Sequence, residues 1–171
     1  MPRTVVRHEG EHLYATQPSS DAGRRLSSAV LHLRRSERIQ ADRAVRSSGL
    51  SSLDLGALRY LVQARRDDRK LSPKDLIVML DTSSATVTNV VERLVTRGYL
   101  VREEHPTDRR AHYLVPTDAA IERVDSAYAS RDGAVVSVID GLSEGEAEVA
   151  ALVIDRLARA LDALEAASQE R

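Results

Sequence analysis

The chain has 171 residues, 25 Lys and Arg against 26 Asp and Glu, 42% hydrophobic residues and no cysteine. That suits one domain with appendages and a core of ordinary size, and it excludes disulfides, thiolate metal sites and thiol redox sensing. Phe and Trp are absent, which argues against a stacking platform for single strands, and no run approaches the roughly 18 apolar residues of a membrane span.

Near-zero net charge is mild evidence against a nucleic-acid binder unless the basic residues gather on one face. All those cations except Lys70 and Lys74 are Arg, the better residue for phosphates and the minor groove. A GC-rich genome explains the same bias. Residues 1–20 lack a signal-peptide core, so a cytoplasmic protein is expected, with no membrane partner.

Residues 1–19 read as a flexible arm. Gln17-Pro18-Ser19-Ser20-Asp21 marks a boundary, and Ser20 or Asp21 caps a helix running to about Ser47. Leu26, Ala29, Val30 and Leu33 recur along it at helical spacing, and Gly49 closes it. Ser51 and Ser52 open a second helix carrying Leu53, Leu55, Leu58, Tyr60, Leu61 and Val62, which ends in the charged turn Arg65-Arg66-Asp67-Asp68-Arg69-Lys70. Leu71-Ser72-Pro73-Lys74-Asp75-Leu76 holds the sharpest local signal. Ser72 is the N-cap, Pro73 takes the first helical position and Asp75 completes a capping box. This short third helix stops at Asp81-Thr82.

A fourth helix spans Ser83–Arg97 and ends at Gly98. Val87, Val90, Val91 and Leu94 fall on one side, Ala85, Thr88, Asn89, Glu92 and Arg93 on the other, with Thr86 and Arg97 on the flank. Alternation then replaces helical spacing. Tyr99-Leu100-Val101-Arg102-Glu103 and Ala111-His112-Tyr113-Leu114-Val115 read as the strands of a hairpin with the polar tip His105-Pro106-Thr107-Asp108-Arg109-Arg110. After Pro116, Thr117 caps a fifth helix bearing Ile121, Val124, Tyr128, Val135, Val138 and Ile139, and Gly141 breaks it. Ser143 and Glu146 form another capping box. The last helix carries the apolar stripe Val149, Leu152, Val153, Leu157, Ala160, Leu161 and Leu164. That stripe is wide for a terminal element and calls for a partner, either within the chain or in a second copy.

A short capped helix, a tight turn and a polar-faced helix make the helix-turn-helix arrangement, whose second helix enters the major groove. Ser83, Ser84, Ala85 and Thr86 are small or polar enough for close approach, and the amides at Ser83 and Ser84 are expected to be free for a phosphate. Thr88, Asn89 and Arg93 are candidates for base edges or phosphates. At the tip, Thr107, Asp108, Arg109 and Arg110 are the candidates: Asp108 can hold one neighbouring Arg while the other projects, which suits the minor groove. The plain alternative is a solvated charged loop on a protein-interaction module without DNA binding. Net charge and Glu103-Glu104 near the tip favour that alternative.

Residues Leu50 to Thr117 resemble the winged helix-turn-helix of the multiple-antibiotic-resistance-regulator (MarR) family. The resemblance rests on Leu71–Leu76, on Ser83–Leu94, on Arg97-Gly98-Tyr99-Leu100, and most specifically on Pro106–Ala111 with Leu114-Val115-Pro116-Thr117. It implies a mainly α (α+β) fold with flanking dimerisation helices: residues 20–48 before the DNA-binding domain at 50–117, and 118–171 after it. It further implies a homodimer on a palindromic operator, more often a repressor, with 83–97 as recognition helix. Asp108 would match the acidic wing residue, and Arg110 the Arg that enters the minor groove. Many members respond to small anionic or phenolic effectors. His32, Tyr60 and Tyr128 are candidates for such a pocket, against the default of a partly buried structural His and core-packed Tyr. The lack of cysteine departs from the oxidant-sensing branch.

His8 and His12 have helical ligand spacing but no third ligand, so no metal or cofactor is expected. No nucleophile–base pair, phosphate loop or paired-carboxylate motif appears, and no enzyme is expected.

Overall fold

A computed structural model describes residues 16–104 and 112–169. The chain divides into two units, one ending at Tyr128 and the other beginning at Ala129. The first holds α1 (Asp21–Ser48), α2 (Ser52–Arg66), α3 (Pro73–Met79), α4 (Ser84–Thr96), β1 (Leu100–Glu104), β2 (His112–Pro116) and the start of α5 (Asp118–Asp140). The second holds the rest of α5 and α6 (Glu144–Gln169). As the sequence predicts, the fold is mainly α with one small antiparallel sheet. Among the described residues, no helix is long and apolar enough to cross a membrane.

Short polar side chains start most of these helices by taking backbone amides that have no helical partner. Ser20 Oγ accepts the Gly23 N–H at 3.0 Å, and Ser51 Oγ the Asp54 N–H at 3.1 Å. Asp75 accepts the Ser72 N–H at 2.7 Å and the Ser72 hydroxyl at 2.8 Å, which lowers its pKa below the usual aspartate range. Thr117 Oγ1 accepts the Ala120 N–H at 3.3 Å. Gly49 (φ 65°) ends α1 and Gly98 (φ 73°) follows α4, both in the left-handed region that favours glycine.

In the first unit α2, α3, α4 and the hairpin share one core. Leu55, Leu58, Leu61, Val62, Leu76, Val87, Val90, Val91, Leu94, Leu100 and Leu114 are buried there. The sheet pairs Leu100 with Pro116 and Glu104 with His112. β1 starts one residue later than alternation suggests, and β2 runs one residue further, to Pro116. Tyr99 is part of the turn after α4, because its N–H closes back on Leu94 O at 2.9 Å. The Leu114 N–H donates to Leu71 O at 2.8 Å, which ties the hairpin to the segment before α3.

In the second unit, Ser143 and Glu146 make the expected capping box: the Ser143 N–H reaches Glu146 Oε2 at 2.8 Å. The Ser143 hydroxyl, with that N–H, lowers the Glu146 pKa below the usual range. Val149, Leu152, Leu157, Leu161 and Leu164 of the α6 stripe are all exposed in the single chain.

Candidate nucleic-acid interface

The turn between α3 and α4 is short and internally bonded. Asp81 takes a left-handed conformation (φ 46°), which short polar residues tolerate, and the Thr82 N–H donates to Ile77 O at 3.2 Å. α3 therefore ends at Met79, slightly before the expected Asp81-Thr82 stop. Val87, Val90, Val91 and Leu94 of α4 face the core. That leaves Ser83, Ser84, Ala85, Thr88 and Asn89 exposed, with Thr86 half-buried.

Several of these side chains are engaged within the helix. Ser83 Oγ accepts the Thr86 N–H at 3.2 Å and lies 2.9 Å from Thr86 Oγ1. One amide of the first turn is thus already capped, which narrows the expectation of free amides there. The Thr88 hydroxyl donates to Ser84 O at 2.9 Å. The Asn89 carboxamide makes no hydrogen bond to the described residues, so both its donor and its acceptor remain open at the surface.

Arg93, a candidate DNA contact, is engaged within the chain. Its Nη2 donates to Asp54 Oδ1 at 2.6 Å and its Nε to Oδ2 at 3.3 Å. Hydrogen bonding to Asp54 raises the Arg93 pKa above its ordinary value. Asp54 is buried whereas the Arg93 side chain stays 47% exposed. Sequence reading missed Asp54 because an acid in the first turn of α2 looks like an ordinary macrodipole partner.

The hairpin is anchored at both ends of its stem. Lys70 forms an ion pair with Glu103, and its Nζ lies 5.7 Å from the Tyr113 ring centroid. Arg65 donates to Pro116 O at 2.6 Å and to Asp118 at 3.1 Å. Glu103 is therefore neutralised by a cation, while Glu104 is exposed. Thr107, Asp108, Arg109 and Arg110 lie outside the described residues, as do His8 and His12.

The three pocket candidates differ in surroundings. His32 is exposed in the single chain rather than partly buried, and Tyr60 is exposed rather than packed in the core. Both sit on outward faces of their helices. Tyr128 is half-buried against the core, with the Arg59 guanidinium 4.9 Å from its ring centroid.

A short capped helix, a tight turn, an outward polar helix and a hairpin bonded back to Leu71 define a winged helix-turn-helix protein. The MarR family model matches residues 48–111 of this chain. The HTH-type transcriptional regulator YkoM of Bacillus subtilis (strain 168) is 36% identical over 63 residues, which are 37% of this chain and 41% of YkoM. The chain thus matches less than half the length of that relative. A MepR variant from a multidrug-resistant S. aureus clinical isolate superposes with TM-score 0.63 at 19% identity, covering 80% of this chain and 96% of MepR. MepR in its S. aureus DNA complex gives TM-score 0.54 at 20% identity, covering 76% of this chain and 95% of MepR. These structural likenesses establish the fold.

Proposed function

We propose that the protein is a cytoplasmic transcriptional regulator that binds double-stranded DNA in a sequence-specific manner. It acts as a homodimer on a palindromic operator, in the manner of a repressor. The observation that carries this reading is the exposed polar face Ser83–Asn89, held outward by the buried Val87, Val90, Val91 and Leu94. The MepR–DNA complex, with the same fold, supports it. Asn89 is suited to a two-bond contact with adenine. On the family pattern, Arg110 would enter the minor groove and Asp108 would match the acidic wing residue, with Thr107 and Arg109 as the other wing candidates.

Residues 20–48 and 118–171 are the dimerisation segments in this reading. The exposed apolar stripe of α6 supports it, since a closed two-fold pair is the commonest way to cover such a surface. Release by a small effector rests on the MarR resemblance. The effector acts by favouring a dimer whose recognition helices no longer fit the operator. The interaction-module reading loses part of its basis, because Glu103 is paired with Lys70.

Titration of the full chain with a random-sequence duplex at several salt concentrations tests the DNA-binding step. Binding should weaken linearly on a log–log plot, by about 0.9 per phosphate neutralised. No binding at low salt would leave the interaction module as the function.

A further inference from the structure

Asp54 lies in the first turn of α2, yet only 4% of its side chain is exposed. Both of its oxygens face one guanidinium that is 39 residues away in sequence, at 2.6 Å from Nη2 and 3.3 Å from Nε. A buried carboxylate needs such compensation, and a two-bond contact with a planar guanidinium fixes direction as well as distance. Arg93 sits near the end of α4, and Asn89 and Thr86 precede it by roughly one and two helical turns along the same stripe. Beside that stripe runs a buried ridge of similar apolar side chains, Val87, Val90, Val91 and Leu94. Such a ridge sets depth well and axial rotation less sharply.

We propose that Asp54 is a positioning residue for DNA recognition. By gripping Arg93 it holds α4 in one rotational setting, so that Asn89 and its neighbours meet the base edges, and it keeps Arg93 from acting as an unspecific cation. The proposal rests on the DNA-binding reading above. Loss of Asp54 removes a directional restraint and releases a positive charge beside the duplex. Specific binding then falls while non-specific binding holds or rises.

The test uses the full chain, a palindromic duplex selected from random DNA, and a random-sequence duplex of equal length. Wild type should prefer the palindrome by at least about a thousandfold. Absence of that preference defeats the functional reading itself. Given that preference, Asp54→Asn should weaken palindrome binding at least tenfold, with random-duplex affinity unchanged or higher. The double variant Asp54→Asn with Arg93→Gln keeps a neutral hydrogen-bonded pair and should recover most of the preference. It also decides the matter if the single variant does not fold, as judged by circular dichroism. The proposal is overturned if folded Asp54→Asn matches wild type on the palindrome, or loses both duplexes equally. It is also overturned if the neutral pair fails to restore the preference, because Arg93 would then act through its own charge.

Discussion

Leu58 on α2 and Leu161 on α6 occupy equivalent places on the apolar stripes of two amphipathic helices, yet Leu58 is 0% exposed and Leu161 is 60% exposed. The same contrast separates Val90 and Leu94 on α4 from Val149 and Leu164 on α6. In the winged-helix body, short helices cross and each stripe finds a partner nearby in the chain. In the second unit the stripe is as regular and remains uncovered. The same sequence periodicity thus gives a buried core in one region and an exposed apolar face in the other. Only the surrounding elements tell them apart.

The largest expected effect lies in the body. Leu58→Ala should cost about 2–5 kcal/mol in urea denaturation, through lost burial and a residual cavity. A change within about 0.5 kcal/mol would mean that the site is not a packed core. The next effect belongs to the second unit. Leu157→Asp with Leu161→Asp should raise the dimer dissociation constant by about a hundredfold, near 2.7 kcal/mol, read by sedimentation, while the winged-helix body keeps its stability. Unchanged sedimentation with both charges in place would remove α6 from the interface.

Asn89→Ala should weaken binding to the operator by about 1–3 kcal/mol with little effect on random duplex, measured by fluorescence anisotropy. An equal loss on both duplexes would make Asn89 a backbone contact. The smallest effect concerns acid stability. The Ser72 backbone and hydroxyl bonds hold Asp75 below the usual aspartate range. Its contribution to folding is therefore present above the ordinary, unfolded-state value and is lost as pH falls through the depressed folded value. Asp75→Asn should flatten that acid limb slightly, since the carboxylate is largely solvent-exposed. An unaltered acid limb would show that the box contributes nothing measurable to α3.

What was legible in the sequence was local. Ser72 with Asp75, Ser143 with Glu146, and the glycines ending α1 and α4 act within a few residues, and each could be read from spacing. Burial of one face of α4 followed from the valine spacing for the same reason. Contacts between distant residues were not legible. Arg93 carries the same signal whether it points at a phosphate or at Asp54, and Glu103 whether it repels DNA or neutralises Lys70. The start of β1 shifts by one residue because alternation does not reveal that the Tyr99 amide belongs to the preceding turn. The exposure of His32 and Tyr60 was missed because helical position alone does not say which faces have neighbours.

Selection of bound sequences from random duplex DNA by the full chain tests the central claim most directly. It should recover an inverted repeat whose half-sites are centred about 34–36 Å apart, one turn of the double helix, with information concentrated where Asn89 and the wing would reach. Recovery of no enriched sequence, or of a single half-site without its mirror, would contradict it.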